Sequence, residues 1–371
     1  MTLRSLSDEE RLDWLQLSRT PSVGPVTFFQ LLSRFKTARA AIGALPELAR
    51  KAGRKRPLVA PSRASVEAEL SSLQAYGAVL LAACEPAYPR FLAALDPPPP
   101  VLTCLGNAEL LNRPAIAIVG ARNASAAGRK MARDIAAEIG PAGYVVISGL
   151  ARGIDGEAHA ASLETGTVAV LGGGIDHVYP PQHDRLYSAI AAEGAIVSES
   201  PFGLRATARD FPRRNRLITG LTLGTVVVEA TERSGSLISA RTAGEQGREV
   251  MAVPGSPLDP RAAGTNRLIQ QGAALVRSGT DVLDIVNGIQ RSRVETPPGP
   301  PYEDGQNFDQ PPKEQIDAVR EALSPNPMPL DEIARAAGIG PGRCAAILME
   351  LELAGEAMTL PGGLAALCAE A

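Results

Sequence analysis

The chain has 371 residues, 45% hydrophobic and 21% charged, with a formal net charge of −3; this is too long for one ordinary core, so two or three globular domains are expected. Four cysteines without a CxxC pair and only three histidines argue against a structural zinc site and a disulfide framework, which gives reduced thiols and a cytoplasmic location as the expectation. No run of 18 apolar residues occurs, and the charged N-terminus lacks an apolar stretch with a cleavage site, so membrane spanning and secretion are disfavoured.

In chain order, residues 1–76 read as short helices. Ser7 is an N-cap candidate for a helix over 8–17, and Ser22-Val23-Gly24-Pro25 is a turn from which Pro25 starts the next helix. Helix, glycine turn and helix together resemble a helix-hairpin-helix unit, although any small helical bundle has the same pattern. A basic run covers 50–56, and a further helix is expected over 62–76. From 77 to 290 strands and helices alternate. Apolar runs at 115–119, 144–147, 167–171, 195–198, 225–229 and 250–253 predict buried parallel strands, and helices are expected over 125–139, 155–164, 184–193, 214–220, 236–246 and 265–271. This repetition gives an α/β fold, an extended Rossmann-like doubly wound sheet. Residues 291–312 form a Pro-rich linker by composition. Residues 313–371 hold three short helical patterns and a strand pair at 357–360 and 364–367, as in a winged helix.

Charge is unevenly distributed. Residues 1–70 contain twelve basic and seven acidic residues, whereas 313–371 contain four and nine. In between, five arginines (Arg205, Arg209, Arg213, Arg214 and Arg216) accompany one acid, Asp210, and one ring, Phe211. Guanidinium groups pair bidentately with phosphate oxygens and a ring offers a face for a base, so this segment predicts a contact to single-stranded nucleic acid. A solvated basic helix start is the plainer alternative.

Glycine-rich turns end the predicted strands. After Val119 come Gly120, Ala121 and Arg122; a dinucleotide fingerprint would need a second glycine where Arg122 stands, so no NAD or FAD site, and no cofactor, is expected. The turn remains an anion site, with Arg122 as its donor and Lys130 further along the following helix. The second turn carries Gly149, Arg152, Gly153 and Asp155, the last an N-cap candidate, with His159 one turn on as its structural partner or a general base. Three glycines at 172–174 suggest close approach of a phosphate or another loop. Ser234-Gly235-Ser236 before a helix is a further phosphate cradle. Asp176, Glu199 and Glu229 are read as loop caps and arginine holders rather than a hydrolytic set.

The blocks IVGARNAS (118–125), SGLARGID (148–155), GGGIDHVYPPQH (172–183), SESPFG (198–203), FPRRNRLITGL (211–221), VVVEATERSGSLISARTAGEQGREVMAVPG (226–255) and GTNRLIQQGAALV (264–276) closely resemble the DprA/Smf family of bacterial DNA-processing proteins, in the family's order. The flanks fit a small helical SAM-like domain in front and a winged helix behind. The resemblance implies a non-enzymatic protein that binds single-stranded DNA, dimerises through its Rossmann-like domain and helps load RecA recombinase in natural transformation. It places DNA contacts at Gly120 and Arg122, at Phe211, Arg213, Arg214, Asn215 and Arg216, and at Ser234, Gly235 and Ser236. Ala121 stands where many members have Ser or Thr.

Leu268, Ile269, Ala273, Ala274 and Leu275 are a candidate dimer surface, with ordinary core packing as the alternative. The same core also resembles lysine-decarboxylase-like nucleotide phosphoribohydrolases, but their PGGxGTxxE block is replaced by SGSLISARTAGE at 234–245, which argues against nucleotide hydrolysis. The third helix of the winged-helix region carries Arg343 as its one cation beside Glu350 and Glu352, so it is expected to serve protein contacts or regulation rather than duplex reading. Arg122→Ala and Arg214→Ala are each expected to weaken oligo(dT) binding without disturbing the fold.

Overall fold

A computed structural model describes residues 3–51, 58–294, 311–360 and 363–368. In chain order the elements are α1 (Asp8–Ser18), α2 (Pro25–Phe35), α3 (Ala38–Lys51), α4 (Arg63–Ala75), β1 (Ala78–Ala82), α5 (Arg90–Ala93), β2 (Val101–Gly106), β3 (Ala115–Val119), α6 (Ala126–Ile139), β4 (Val145–Ser148), α7 (Ile154–Ala161), β5 (Thr167–Val170), α8 (Asp184–Glu193), β6 (Ala195–Ser198), α9 (Asp210–Gly220), β7 (Gly224–Val227), α10 (Gly235–Glu245), β8 (Glu249–Ala252), α11 (Ala263–Gln270), β9 (Ala274–Leu275), α12 (Gly279–Val294), α13 (Lys313–Ala322), β10 (Met328–Pro329), α14 (Leu330–Ala336), α15 (Pro341–Ala354), β11 (Ala357–Leu360) and β12 (Leu364–Leu367). Of the basic run at 50–56, residues 52–56 lie outside the described residues, as do 295–310 of the Pro-rich stretch. Helix α12 continues to Val294, past the boundary expected at 290.

The chain forms two compact units. The first runs through Glu69–Leu95 and from Leu102 to beyond α12. Its sheet has nine strands in the order β1-β2-β6-β5-β4-β3-β7-β8-β9. From β3 the chain winds out through β4, β5 and β6, then returns to add β7, β8 and β9 on the other side. The strand order therefore reverses beside β3, at whose carboxyl end such folds open a crevice. The registers from β3 to β9 are parallel, as the apolar runs predict, with Ile116 opposite Val146 and Gly224. Strands β3 to β7 are buried throughout, because helices cover both faces. One face packs Ile116, Ile118 and Val146 against Ile135 and Ile139 of α6 and Val282 and Val286 of α12. The other packs Ala169, Leu171 and Ile196 against Tyr187 and Ile190 of α8 and Leu73 of α4.

Strand β2 was not expected from the sequence. It pairs antiparallel to β6, with Thr103 opposite Ser198 and Gly106 opposite Ala195. Its short apolar run directly follows four prolines, which read as a turn or linker rather than as the entry to a strand.

The second unit contains the remainder of the N-terminal helices together with the C-terminal region. Helix α1 is started by a capping box between Ser7 and Glu10, and Leu15, Leu17, Phe28, Leu31 and Leu45 are fully buried around it. Trp14 meets Phe28 edge-on at 5.1 Å between ring centroids. The C-terminal region is a winged helix: α13, α14 and α15 enclose Val319, Ile333, Cys344, Ile347 and Leu348, beside a three-stranded sheet in the order β10-β12-β11.

Helix α15, the third of the winged helix, packs against α2 and α3. Thr27 of α2 donates through Oγ1 to Glu352 Oε2 at 2.6 Å, and Thr359 of β11 donates to the same oxygen at 2.8 Å. Arg34 Nη1 lies 3.7 Å from Glu350 Oε1. The two glutamates that make α15 unsuited to a phosphate backbone thus face the helical domain of the same chain.

A backbone constraint closes the antiparallel edge. Gly106 has φ +89, and a Cβ there would sit 2.5 Å from the Gly194 carbonyl oxygen and 2.8 Å from that of Ala191. Gly106→Ala is expected to destabilise the first unit by about 2 kcal/mol or more, read from the urea midpoint at unchanged m-value.

Candidate nucleic-acid interface

Three loops at the carboxyl ends of β3, β4 and β5 meet the first turn of α9. Together they line a cleft of about 30 Å³ bounded by Arg122, Gly149, Ala151, Arg152, Tyr179, Pro180, Phe211 and Arg214. Helix α9 begins at Asp210, whose carboxylate accepts from the backbone N–H and hydroxyl of Thr207, and not at 214 as the sequence suggested. The earlier start matters because helical spacing then distributes the arginines. Phe211 and Arg214, three residues apart, share the face toward the cleft; Arg213 and Arg216 share the next face.

Arg214 is the floor of the cleft. It is 7% exposed, and its Nε has no hydrogen-bond partner. Burial pushes its guanidinium down to about 10; the nearby Asp155 carboxylate opposes this and the Arg122 cation adds to it. Burial likewise raises Asp155, against the pull of Arg214 and of the Gly149 and Ala151 amides. Those two N–H groups donate to Asp155 Oδ2 at 3.1 and 3.3 Å. Asp155 therefore folds the loop after β4 and counters Arg214 from below; the N-cap of α7 is Gly153, not Asp155. Gly149 is required for this arrangement, since a Cβ would fall 1.5 Å from Arg214 Nη1.

Arg122 is exposed at the end of β3, and its guanidinium carbon lies 5.0 Å from the centroid of the Phe211 ring. Tyr179, from the loop after β5, stands against the same ring at 5.6 Å with a 40° tilt. Arg152 is exposed and lines the same cleft. Two guanidinium groups, those of Arg122 and Arg214, thus bear on one cleft with a single carboxylate behind them. That is an electrostatic invitation to an anion.

The other residues expected in the site are placed differently. Arg216 is turned inward, with both Glu199 oxygens on its Nη2 and only 14% of its side chain exposed, so it is not available to phosphate. Arg213 is exposed but leans on the same Glu199 at 3.9 Å. Arg209 is exposed at the N-cap of α9, and Asn215 is half-buried within the helix. Lys130 lies on the outer face of α6 in an ion pair with Asp134. The hydroxyls of Ser234 and Ser236 are 2.7 Å apart and bonded to each other, and neither they nor Gly235 line the cleft.

Gly120 is a packing glycine: a Cβ there would sit 2.6 Å from Ile154 and 3.2 Å from the Glu229 carbonyl oxygen. Gly173 and Gly174 admit the loop at 201–206, not a ligand. Glu229 receives the Ser125 N–H and hydroxyl, Glu199 holds Arg216, and Asp176 accepts from Gly203 N–H, as expected of caps and arginine holders. His159 is structural, with Thr167 rather than Asp155 as its partner at 2.7 Å.

Sequence reasoning missed Tyr179 as a member of the site. The available signal was an aromatic–proline step five residues after the last glycine of a triple-glycine turn.

Comparison with known proteins bears on this geometry. Residues 79–287 match the family described as DNA recombination-mediator protein A, residues 8–72 the DprA-like N-terminal HHH domain, and residues 308–363 the DprA winged helix domain. The chain belongs to the DprA/Smf family. Protein Smf of Escherichia coli is 38% identical over 81% of this chain and 80% of its own length. Protein Smf of Synechocystis is 32% identical over 96% and 98%. Among solved structures, DprA from Streptococcus pneumoniae superposes with a TM-score of 0.65 at 33% identity, covering 76% of this chain and 98% of that one. DprA from Helicobacter pylori, described for its single-stranded DNA binding mode, gives 0.52 at 27% identity over 58% and 96%. The DprA/Smf core spans the sheet and every loop of the cleft, and its N- and C-terminal family domains cover the second unit.

Two measurements follow. Arg214→Ala would leave Asp155 buried without its counter-charge, so a loss of about 2 kcal/mol or more in unfolding free energy is expected, and not the intact fold anticipated from the sequence. His159 is held down to about 3, by burial first and then by His183 and Arg214. A depressed histidine contributes stability that is complete above its unfolded value near 6.5 and is lost as pH falls toward 3. Unfolding free energy should therefore decline across that window, and His159→Gln should flatten the slope by about 1.4 kcal/mol per pH unit.

Proposed function

We propose that this protein binds single-stranded DNA without sequence preference along the carboxyl-end rim of its parallel sheet and passes it to RecA recombinase during DNA uptake. In this reading it acts in the cytoplasm as a homodimer joined through the Rossmann-like unit, and catalyses no reaction of its own. Its relatives are named as DNA-processing proteins, and the Helicobacter pylori protein is described as binding single-stranded DNA. A DNA-processing role for this chain follows from the family.

The observation that carries the reading is the convergence of Arg122 and buried Arg214 on one open cleft. A phosphodiester would relieve the repulsion between the two cations. Arg152 adds a third cation to the cleft lining, and the rings of Tyr179 and Phe211 line it too. The cleft, at about 30 Å³, is far below the roughly 300 Å³ at which pockets enclose small molecules, which favours a strand lying across it over a nucleotide held for hydrolysis. For dimerisation, Leu275 is 46% exposed on the edge strand β9, with half-buried Leu268 and Ile269 on α11, whereas Ala274 packs into the sheet core.

Binding of oligo(dT) measured against salt concentration tests the site. Arg122→Ala and Arg152→Ala should each weaken retention and lower the log–log salt slope by about 0.7 per lost phosphate contact. Arg216→Ala should act on stability instead, by uncovering Glu199. Unchanged affinity and slope in both cleft variants would remove the assignment.

A further inference from the structure

The N-terminal helices and the winged helix meet along two matching stripes. On α2, Thr27, Gln30 and Arg34 follow one another at i, i+3 and i+7; on α15, Ala345, Met349 and Glu352 follow at i, i+4 and i+7, with Glu350 beside them. Thr27 Oγ1 donates to Glu352 Oε2 at 2.6 Å, Gln30 Nε2 donates to the Ala345 carbonyl at 3.5 Å, and Arg34 Nη1 stands 3.7 Å from Glu350 Oε1. Met349 is 3% exposed yet is not part of the winged-helix core, so it is the apolar member of this seam. That core contains no residue of the N-terminal helices, and the seam is therefore a mainly polar join between two separately packed pieces. The join opens at little cost. Gln30 Oε1 is buried there without a hydrogen-bond partner and gains one from water on separation. Glu352 does not depend on α2, because the Thr359 hydroxyl and N–H of β11 bond its two oxygens at 2.8 and 3.4 Å. Arg34 and Glu350 are both partly exposed, where an ion pair adds a factor of about 5 at most.

We propose that α2 is a releasable cover over the third helix of the winged helix, an autoinhibitory contact within the chain, and that the uncovered α15 stripe is taken by α2 of a second copy. Chemistry selects the occupant. Glu350 and Glu352 repel phosphate, so a nucleic acid fits the stripe poorly. What fits is a helix with a hydroxyl, a carboxamide and a guanidinium at i, i+3 and i+7, and every copy of this chain carries that set on α2. The winged helix follows α12 only through residues 295–312, which span about 60 Å when extended, a length that permits the same contact to be exchanged between copies without any new interface. The inference goes beyond the single-strand reading and does not rest on it, and the contact is distinct from joining through the Rossmann-like unit.

The test uses full-length chains carrying Cys368→Ser, in which the remaining native thiols are buried, and a short bismaleimide crosslinker. A chain with both Gln30→Cys and Ala345→Cys should crosslink within itself at every protein concentration; no such product would overturn the contact. Mixing a chain that bears Gln30→Cys alone with one that bears Ala345→Cys alone should give crosslinked pairs in a yield that rises with concentration, and their absence would overturn the exchange. Charge reversal then separates a specific exchange from chance encounter. Arg34→Glu in the first chain and Glu350→Arg in the second each oppose like charges within a chain, and they match opposite charges between chains. That mixture should form about 2- to 5-fold more pairs than the mixture without charge reversal. With Arg34→Glu in both chains the gain should vanish. An equal yield in all three mixtures would show random collision and defeat the inference. Failure of the parent protein to retain oligo(dT) would remove the single-strand reading alone.

Discussion

The cleft depends on a guanidinium kept out of water. Transfer of Arg214 into the first unit costs solvation that only partial compensation offsets, which is why its ionisation and that of Asp155 are both shifted toward neutrality by burial. The compensation comes from one carboxylate, and that carboxylate is itself secured by two backbone amides of the loop after β4. Loop, carboxylate and guanidinium therefore form one cooperative arrangement, with the absent side chain of Gly149 as its steric condition. What is left over is an Nε without a partner. A buried donor left unsatisfied is costly in an isolated protein, and here it belongs to the side chain that forms the floor of the cleft.

The general plan was legible in the sequence because its signals are local. Apolar runs of four or five residues identified the parallel strands β3 to β8 though not the short β9, and the strand pair at 357–360 and 364–367 matched its observed bounds. The composition of the site was legible as well, in that Arg122, Arg152, Phe211 and Arg214 do meet. The division of labour among the arginines was not. A run such as Arg213-Arg214-Asn215-Arg216 reads as a single cationic patch until the helix start is known, and that start depends on Asp210 bonding to Thr207. Once α9 begins at Asp210, a rotation of about 100° per residue sends Arg214 to the cleft and Arg216 to Glu199. Glu199, just after β6 and 17 residues before Arg216, was read as an arginine holder, but which arginine it holds follows only from the helix start.

The glycines carry a related lesson. Each glycine-rich turn reads as a phosphate cradle when taken alone, because the same residue type serves a ligand approach and a close backbone crossing. In the folded chain Gly120, Gly173 and Gly174 admit neighbouring protein atoms. Gly149 makes room for a group that faces the cleft, and the group is an arginine rather than a phosphate. The serine pair at 234 and 236 shows the same economy, since the two hydroxyls satisfy each other at the start of α10.

Acidity in the winged helix is explained by what α15 touches. A third helix that entered a major groove would carry cations toward phosphate, whereas here Glu350 and Glu352 meet Arg34 and Thr27 of the N-terminal helical domain. Within one unit, two acids of the C-terminal region thus meet residues of the N-terminal helices. The cationic cleft is built from loops of the parallel sheet and the start of α9. Net charge close to zero over the whole chain is then compatible with a nucleic-acid-binding protein: the positive potential is local, fixed by Arg122 and Arg214 over a single buried carboxylate, and not a property of the composition.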